Sequence, residues 1–170
     1  MRTTNLRKRT SENMKRIAVV GTRYPSPQAE DLVRDLVKAL GEYGYGIITG
    51  GARGVDSLAI RYAKAFGVPY IVIKPSGIKP SDFVERDRLV AEGAIAIVVP
   101  EARAGTAKYA CCGTWYTAVK FGVRKDKPAF IFKPLVDDKD VLEAFNIMVK
   151  DGVKPVESIE ELIEHLKQLG

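Results

Sequence analysis

The chain has little with which to do redox or metal chemistry. Its only two cysteines, Cys111 and Cys112, are adjacent. Neighbouring residues rarely close a structural disulfide, and two thiolates alone do not make a zinc site. They read as small, part-buried side chains, with a reactive thiol as the alternative. The single histidine, His165, lies between Glu164 and Lys167 and reads as a solvent-facing helix residue. The longest apolar runs, such as Ala94 to Pro100, fall far short of the roughly 20 residues that cross a bilayer. The first fifteen residues are basic and polar, without the apolar stretch of a secretion signal. The expectation is a cytoplasmic protein with no membrane partner. There is no internal repeat and no low-complexity tract, and nothing calls for a cofactor. Two glutamines and three asparagines stand against 27 Lys and Arg and 21 Asp and Glu, a bias that fits a thermophile.

What is present is unevenly charged. Residues 1–16 carry Arg2, Arg7, Lys8, Arg9, Lys15 and Arg16 against Glu12, a net +5 of the chain's +6. The basic balance therefore describes the N-terminus more than the body. Residues 1–15 read as a basic arm, suited either to phosphate contacts along a nucleic acid or to remaining a solvated terminus. Residues 16–170 read as a single domain.

Strand and helix patterns alternate through that domain. Arg16 to Gly21, Tyr45 to Thr49, Pro69 to Ile73, Ala94 to Val99 and Pro128 to Phe132 are short, apolar and β-rich, as strands buried on both faces of a parallel sheet are. Val153 to Val156 is a sixth, weaker candidate. Helical stripes lie between them: one capped by Ser26 with Pro27 at its first position, one from Val55 to Phe66 stopped by Gly67, one capped by Ser81 from Asp82 to Glu92, and one from Gly113 to about Val123. Val141, Leu142, Phe145 and Met148 mark another. Ser158-Ile159-Glu160-Glu161 reads as a capping box opening the last. The pattern predicts an α/β fold: a Rossmann-like, doubly wound, mainly parallel sheet with helices on both faces. Ligands of such folds sit at the carboxyl ends of the strands.

Polar clusters gather at those ends. The stretch Gly50-Gly51-Ala52-Arg53-Gly54-Val55-Asp56 joins a strand to a helix whose first N–H groups carry partial positive charge, and Arg53 adds a guanidinium shaped for phosphate. Gly21-Thr22-Arg23 follows the first strand. Gly113-Thr114 precedes the helix after the fourth. Arg86-Asp87-Arg88 lies on the helix before it. Glycines, hydroxyls and arginines converging on one edge suit a phosphate-bearing ligand. Trp115 and Tyr116 are candidates to stack on a base, or to serve as core. The long stretch Pro100 to Cys112, with Arg103 and Lys108, has the length of a functional loop. Asp137, Asp138 and Asp140 read as the acidic first turn of a helix.

These motifs resemble the SMF/DprA–LOG (SLOG) superfamily, and most closely the Rossmann-like core of the DprA/Smf family. Residues 17–23 are similar to that family's first strand and Gly-Ser-Arg motif, and residues 49–56 to its glycine turn. Phe83 with Arg86-Asp87-Arg88 is similar to its Phe-x-x-Arg-Asn-Arg element, with Asp in place of Asn. Val98 to Ala102 and Gly113 to Ala118 resemble its Glu-Ala strand end and its Gly-Ser helix start. The resemblance implies a pocket for single-stranded nucleic acid or a nucleotide, in a homodimer. It makes Arg23, Arg53, Arg86 and Arg88 phosphate contacts and Gly21, Thr22, Gly50, Gly51, Gly54, Gly113 and Thr114 backbone or hydroxyl donors. Asp56 is expected to brace the turn. Ile60 stands where the family usually carries a histidine.

The LOG branch of the superfamily cleaves nucleoside 5′-monophosphates with a glutamate that this chain replaces by Thr117. A hydroxyl cannot supply a carboxylate's acid–base or charge-stabilising role. The reading therefore leans against an enzyme, with Glu85 and Glu101 as the carboxylates near enough to substitute. The remaining alternative is a regulatory sensor of a small nucleotide signal.

Overall fold

The computed structural model describes residues 14–104 and 113–169. Residues 1–13, Lys108 and the pair Cys111 and Cys112 lie outside them. The described strands are β1 (Arg16–Val19), β2 (Gly46–Thr49), β3 (Tyr70–Val72), β4 (Ala96–Val99), β5 (Ala129–Phe132) and β6 (Lys154–Val156). They form one sheet in the order β3-β2-β1-β4-β5-β6, and every pairing is parallel. The sheet is thus wholly parallel rather than mainly so.

The helices are α1 (Pro27–Glu42), α2 (Val55–Phe66), α3 (Pro80–Glu92), α4 (Lys139–Lys150) and α5 (Ile159–Lys167). Alternate residues along each strand face opposite layers. Ile17 and Val19 pack with Leu36, Leu40, Val55, Ala59 and Leu162 under α1, α2 and α5. Ala18 and Val20 pack with Val90, Ala91, Ala118 and Met148 on the other side. A sheet covered on both faces needs apolar side chains on both, which is why its strands read as unbroken apolar runs.

Caps set most helix starts. Ser26 Oγ accepts from Ala29 N–H at 3.1 Å, with Pro27 at the first helical position. Asp138 accepts from Asp140 and Val141 N–H and opens α4. Gly67, in the left-handed conformation, ends α2. Three expectations change. The third helix starts at Pro80 rather than after Ser81, with Lys79 N–H donating to the Asp82 carboxylate at 3.0 Å; proline's fixed φ and missing N–H suit the first helical position. Ser158 caps α5, but Glu161 reaches back to Glu157 N–H rather than to Ser158, so the box closes one residue early. The segment from Gly113 is not one α-helix: a turn at Gly113–Trp115 runs into a π-helical stretch, Tyr116–Lys120, and a 3-10 turn, Val123–Lys125.

His165 is half-buried, its ring stacked on Phe130 at 5.5 Å between centroids, instead of facing solvent. No helix of the described residues is long and apolar enough to cross a membrane.

Candidate nucleic-acid interface

The strand order reverses at β1, which has β2 on one side and β4 on the other. Connections leaving β1 and β4 diverge there, and such folds bind ligands at that point. In this chain the β1 end is knitted to its neighbours. Thr22 N–H donates to Glu101 O at 2.9 Å, extending the β1–β4 ladder, and Val55 N–H donates to Thr22 O at 3.0 Å. The β1 loop, the β4 loop and the start of α2 therefore form one surface.

The N-terminus of α1, the usual phosphate seat, is already taken. Glu101 is buried, and its two carboxylate oxygens accept from Ser26 N–H at 2.9 Å and Ser26 Oγ–H at 2.6 Å. Arg103 approaches the same carboxylate at 4.0 Å and donates to Asp138 at 2.7 Å. That ion pair holds the Asp138 carboxyl below its ordinary range. The polar residues that follow β4 thus tie α1 to α4.

The N-terminus of α2 is different. Its cap is Gly54, which supplies no side chain, and Arg53 beside it is exposed. Gly51 and Gly54 both have positive φ. On the inner side of the turn, Asp56 is buried and accepts from Ala52 N–H at 3.3 Å, the bracing role expected of it. Burial pushes the Asp56 carboxyl from an ordinary 3.8 up to about 6, against the opposing pull of the Ala52 N–H, the Arg86 charge, the Thr49 hydroxyl and the Gly50 N–H. A folded-state value above the unfolded one favours the folded state below about pH 4, and the advantage is lost as pH rises through about 6. Two pKa units correspond to about 3 kcal/mol. Asp56→Asn is expected to lose this dependence. Urea denaturation should show parent stability falling by about 3 kcal/mol relative to the variant between about pH 3 and about pH 8. A difference that stays flat with pH would refute the assignment.

Arg86 and Arg88 take opposite faces of α3. Arg86 is buried. Its guanidinium donates to Gly50 O at 2.6 Å and to Asp87 Oδ1 at 2.9 Å, and it lies 5.7 Å from the Phe83 ring centre. Burial raises the Asp87 carboxyl, opposed by the charges of Arg86 and Arg23. A Cβ on Gly50 would come within 2.8 Å of the Arg86 guanidinium, so the turn and the arginine fit only without a side chain there. Arg88 points outward and is held between Glu85 and Glu92. Two residues along a helix are about 200° apart in azimuth, so the pair cannot converge on one ligand.

The structure therefore brings together Gly21, Thr22, Arg23, Gly50, Gly51, Arg53, Gly54 and, through Asp87, Gly113. A Cβ on Gly113 would lie 2.8 Å from Asp87 Oδ1. Arg23 and Arg53 are its exposed cations, Arg86 is internal to it, and Arg88 is apart from it. Thr114 is half-buried beside Gly113. Thr117 is buried and donates its hydroxyl to Gly113 O at 2.7 Å. Trp115 turns away: its indole N–H donates to Asp151 at 2.9 Å, Arg124 covers its ring at 5.0 Å, and Tyr116 packs edge-on against it. Sequence reasoning missed the exposed Tyr24, whose place is set by Thr22. Among the described residues no cluster of three or more metal-ligating side chains occurs.

The fold and this edge can be set against known proteins. The family model of DNA recombination-mediator protein A matches residues 7–81, which contain the first three strands and the glycine turn. A putative DNA processing protein DprA of Mycobacterium tuberculosis is 32% identical over 126 residues, covering 55% of this chain and 32% of the relative. DprA of Helicobacter pylori superposes with a TM-score of 0.72 at 21% identity, over 94% of this chain and 83% of that one. The fold is DprA-like. DprA of Streptococcus pneumoniae agrees, with a TM-score of 0.74 at 20% identity, over 89% of this chain and 61% of that one. The chain spans about a third of the length of the curated relatives it matches. The H. pylori protein is known with a single-stranded DNA binding mode.

Proposed function

We propose that this chain binds single-stranded DNA through its phosphates at the carboxyl edge of the sheet, in DNA processing or recombination. The observation that carries the reading is the N-terminus of α2, which has no side-chain cap, with Gly51, Arg53 and Gly54 in the turn and the Arg23 backbone packed on Gly54. A glycine turn at a helix start and two exposed guanidiniums are the components of an anion site. Arg23 and Arg53 are its phosphate contacts. Gly21, Thr22, Gly50, Gly51, Gly54, Gly113 and Thr114 shape it, and Arg86 positions the turn. Pairing of two copies belongs to the same proposal. The carboxylates considered for hydrolysis are engaged elsewhere, Glu101 with Ser26 and Glu85 with Arg88.

Anisotropy of a fluorescein-labelled oligothymidylate, titrated across salt concentrations, tests this. Arg23→Ala and Arg53→Ala should each weaken binding and reduce the salt slope by about 0.7, the value for one lost contact to a single strand. Parental affinity and slope in both variants would refute it. A thermal shift with mononucleotides but no affinity for the oligomer would instead favour a small-nucleotide sensor.

A further inference from the structure

Beyond phosphate contact, a strand needs something to hold its bases, and among the described residues the same edge offers a well-exposed aromatic for it. Tyr24 follows Arg23 directly and is 69% exposed, the most exposed aromatic side chain among the described large hydrophobics. Exposure alone means little for a single surface residue. What sets Tyr24 apart is how firmly its backbone is held. Its N–H donates to Thr22 Oγ1 at 3.0 Å, and Thr22 is itself buried and bonded to the β4 loop. Arg23, one residue before it, lies against Gly54 so closely that a Cβ there would meet Arg23 Cα at 2.6 Å. Pro25, one residue after it, disfavours helical backbone at Tyr24. Ser26, two residues after, is anchored to Glu101 through both its N–H and its hydroxyl. A large ring therefore stands in solvent on a five-residue link, Thr22 to Ser26, fixed at both ends, beside the turn that carries Arg53.

We infer that Tyr24 is the base-stacking residue of this site: its ring takes the face of a nucleobase whose strand phosphates lie on Arg23 and Arg53. This rests on the phosphate-binding reading above and adds the part of the ligand that the arginines do not touch. Aromatic faces accept any base, so the contact adds affinity without sequence preference. A tyrosine with few rotatable bonds loses little side-chain freedom in making it. Arg23 serves charge and Tyr24 serves stacking, and one rigid link sets the spacing between them.

Two probes separate these roles: labelled oligothymidylate and an abasic sugar-phosphate oligomer of equal length. Tyr24→Ala should weaken binding of the oligothymidylate by about 10-fold or more, while leaving affinity for the abasic oligomer within about 2-fold of the parent. Tyr24→Phe should keep parental affinity for both. Tyr24→Leu, which keeps bulk without a π-face, should behave as the alanine variant. Equal weakening of both oligomers by Tyr24→Ala, or parental binding by Tyr24→Leu, would overturn the stacking role while leaving the arginine site standing. Failure of the parent to bind either oligomer would overturn the site itself, and the role of Tyr24 with it.

Discussion

Arg86→Ala is expected to lose about 3–5 kcal/mol of stability, the scale measured when one partner of a buried ion pair is removed. Against a total of roughly 5–15 kcal/mol for an ordinary domain, that is a large share of what keeps the chain folded. The side chain is only 7% exposed, and several groups depend on it. Gly50 O would lose its donor, the Asp87 carboxylate its ion pair, and buried Asp56 the positive charge that offsets it. Arg86→Lys should recover little, because one ammonium cannot span the Gly50 carbonyl and the Asp87 carboxylate as a planar fork does. Urea denaturation gives the stability. The salt slope of oligonucleotide binding, measured where the variant is folded, gives the second readout and should match the parent. A stable Arg86→Ala protein with a slope reduced by one contact would mean that the guanidinium is spent on ligand instead. The sequence pattern suggested that role; burial argues for the structural one.

Gly54→Ala is expected to cost about 4 kcal/mol or more, in the range reserved for strained or clashing backbone. Gly54 has φ 78° and ψ −126°, a region that side chains rarely enter. A Cβ there would overlap the Thr22 carbonyl oxygen and lie 2.6 Å from Arg23 Cα. These are backbone atoms of the β1 loop, so no rotamer change can relieve the contact. Gly44→Ala separates the two contributions. Gly44 has φ 85° but nothing within 4 Å of its would-be Cβ, so it should show only the conformational cost, about 1–2 kcal/mol. Comparable losses at the two sites, by thermal or urea melts, would show that the β1 loop yields to the turn rather than being locked against it.

The architecture was legible because most strands are apolar on both faces and several helices carry their own start or stop. Ser26-Pro27 and Gly67 are local signals and marked their ends correctly. The arginine pair was partly legible. Arg86 and Asp87 lie one turn before Val90 and Ala91 on the buried stripe of α3, whereas Arg88 lies one turn from Glu85 and Glu92. The helical phase, read strictly, separates them. The bond between Ser26 and Glu101 spans 75 residues and exists only because β1 and β4 are neighbours in register. Pairings of that range, like Trp115 with Asp151 and His165 with Phe130, have no local signature. The π-helical stretch after Trp115 has none either.

The carboxylate of Glu101 at the start of α1 has a further consequence. In many nucleotide-binding sheets the first helix directs its dipole at the ligand, and the end of that helix is empty until the ligand arrives. Here the protein carries a permanent internal anion in that seat. On the proposed reading, the first crossover already has its counter-charge in the free chain and does not need a ligand to supply it. The proposed task of meeting an outside charge moves one crossover along, to the turn between β2 and α2. On the proposed reading, a bound strand lies over the β1 and β2 loops, where Arg23, Tyr24 and Arg53 are exposed. One acidic side chain can in this way redirect a shared topology toward a different shape of ligand.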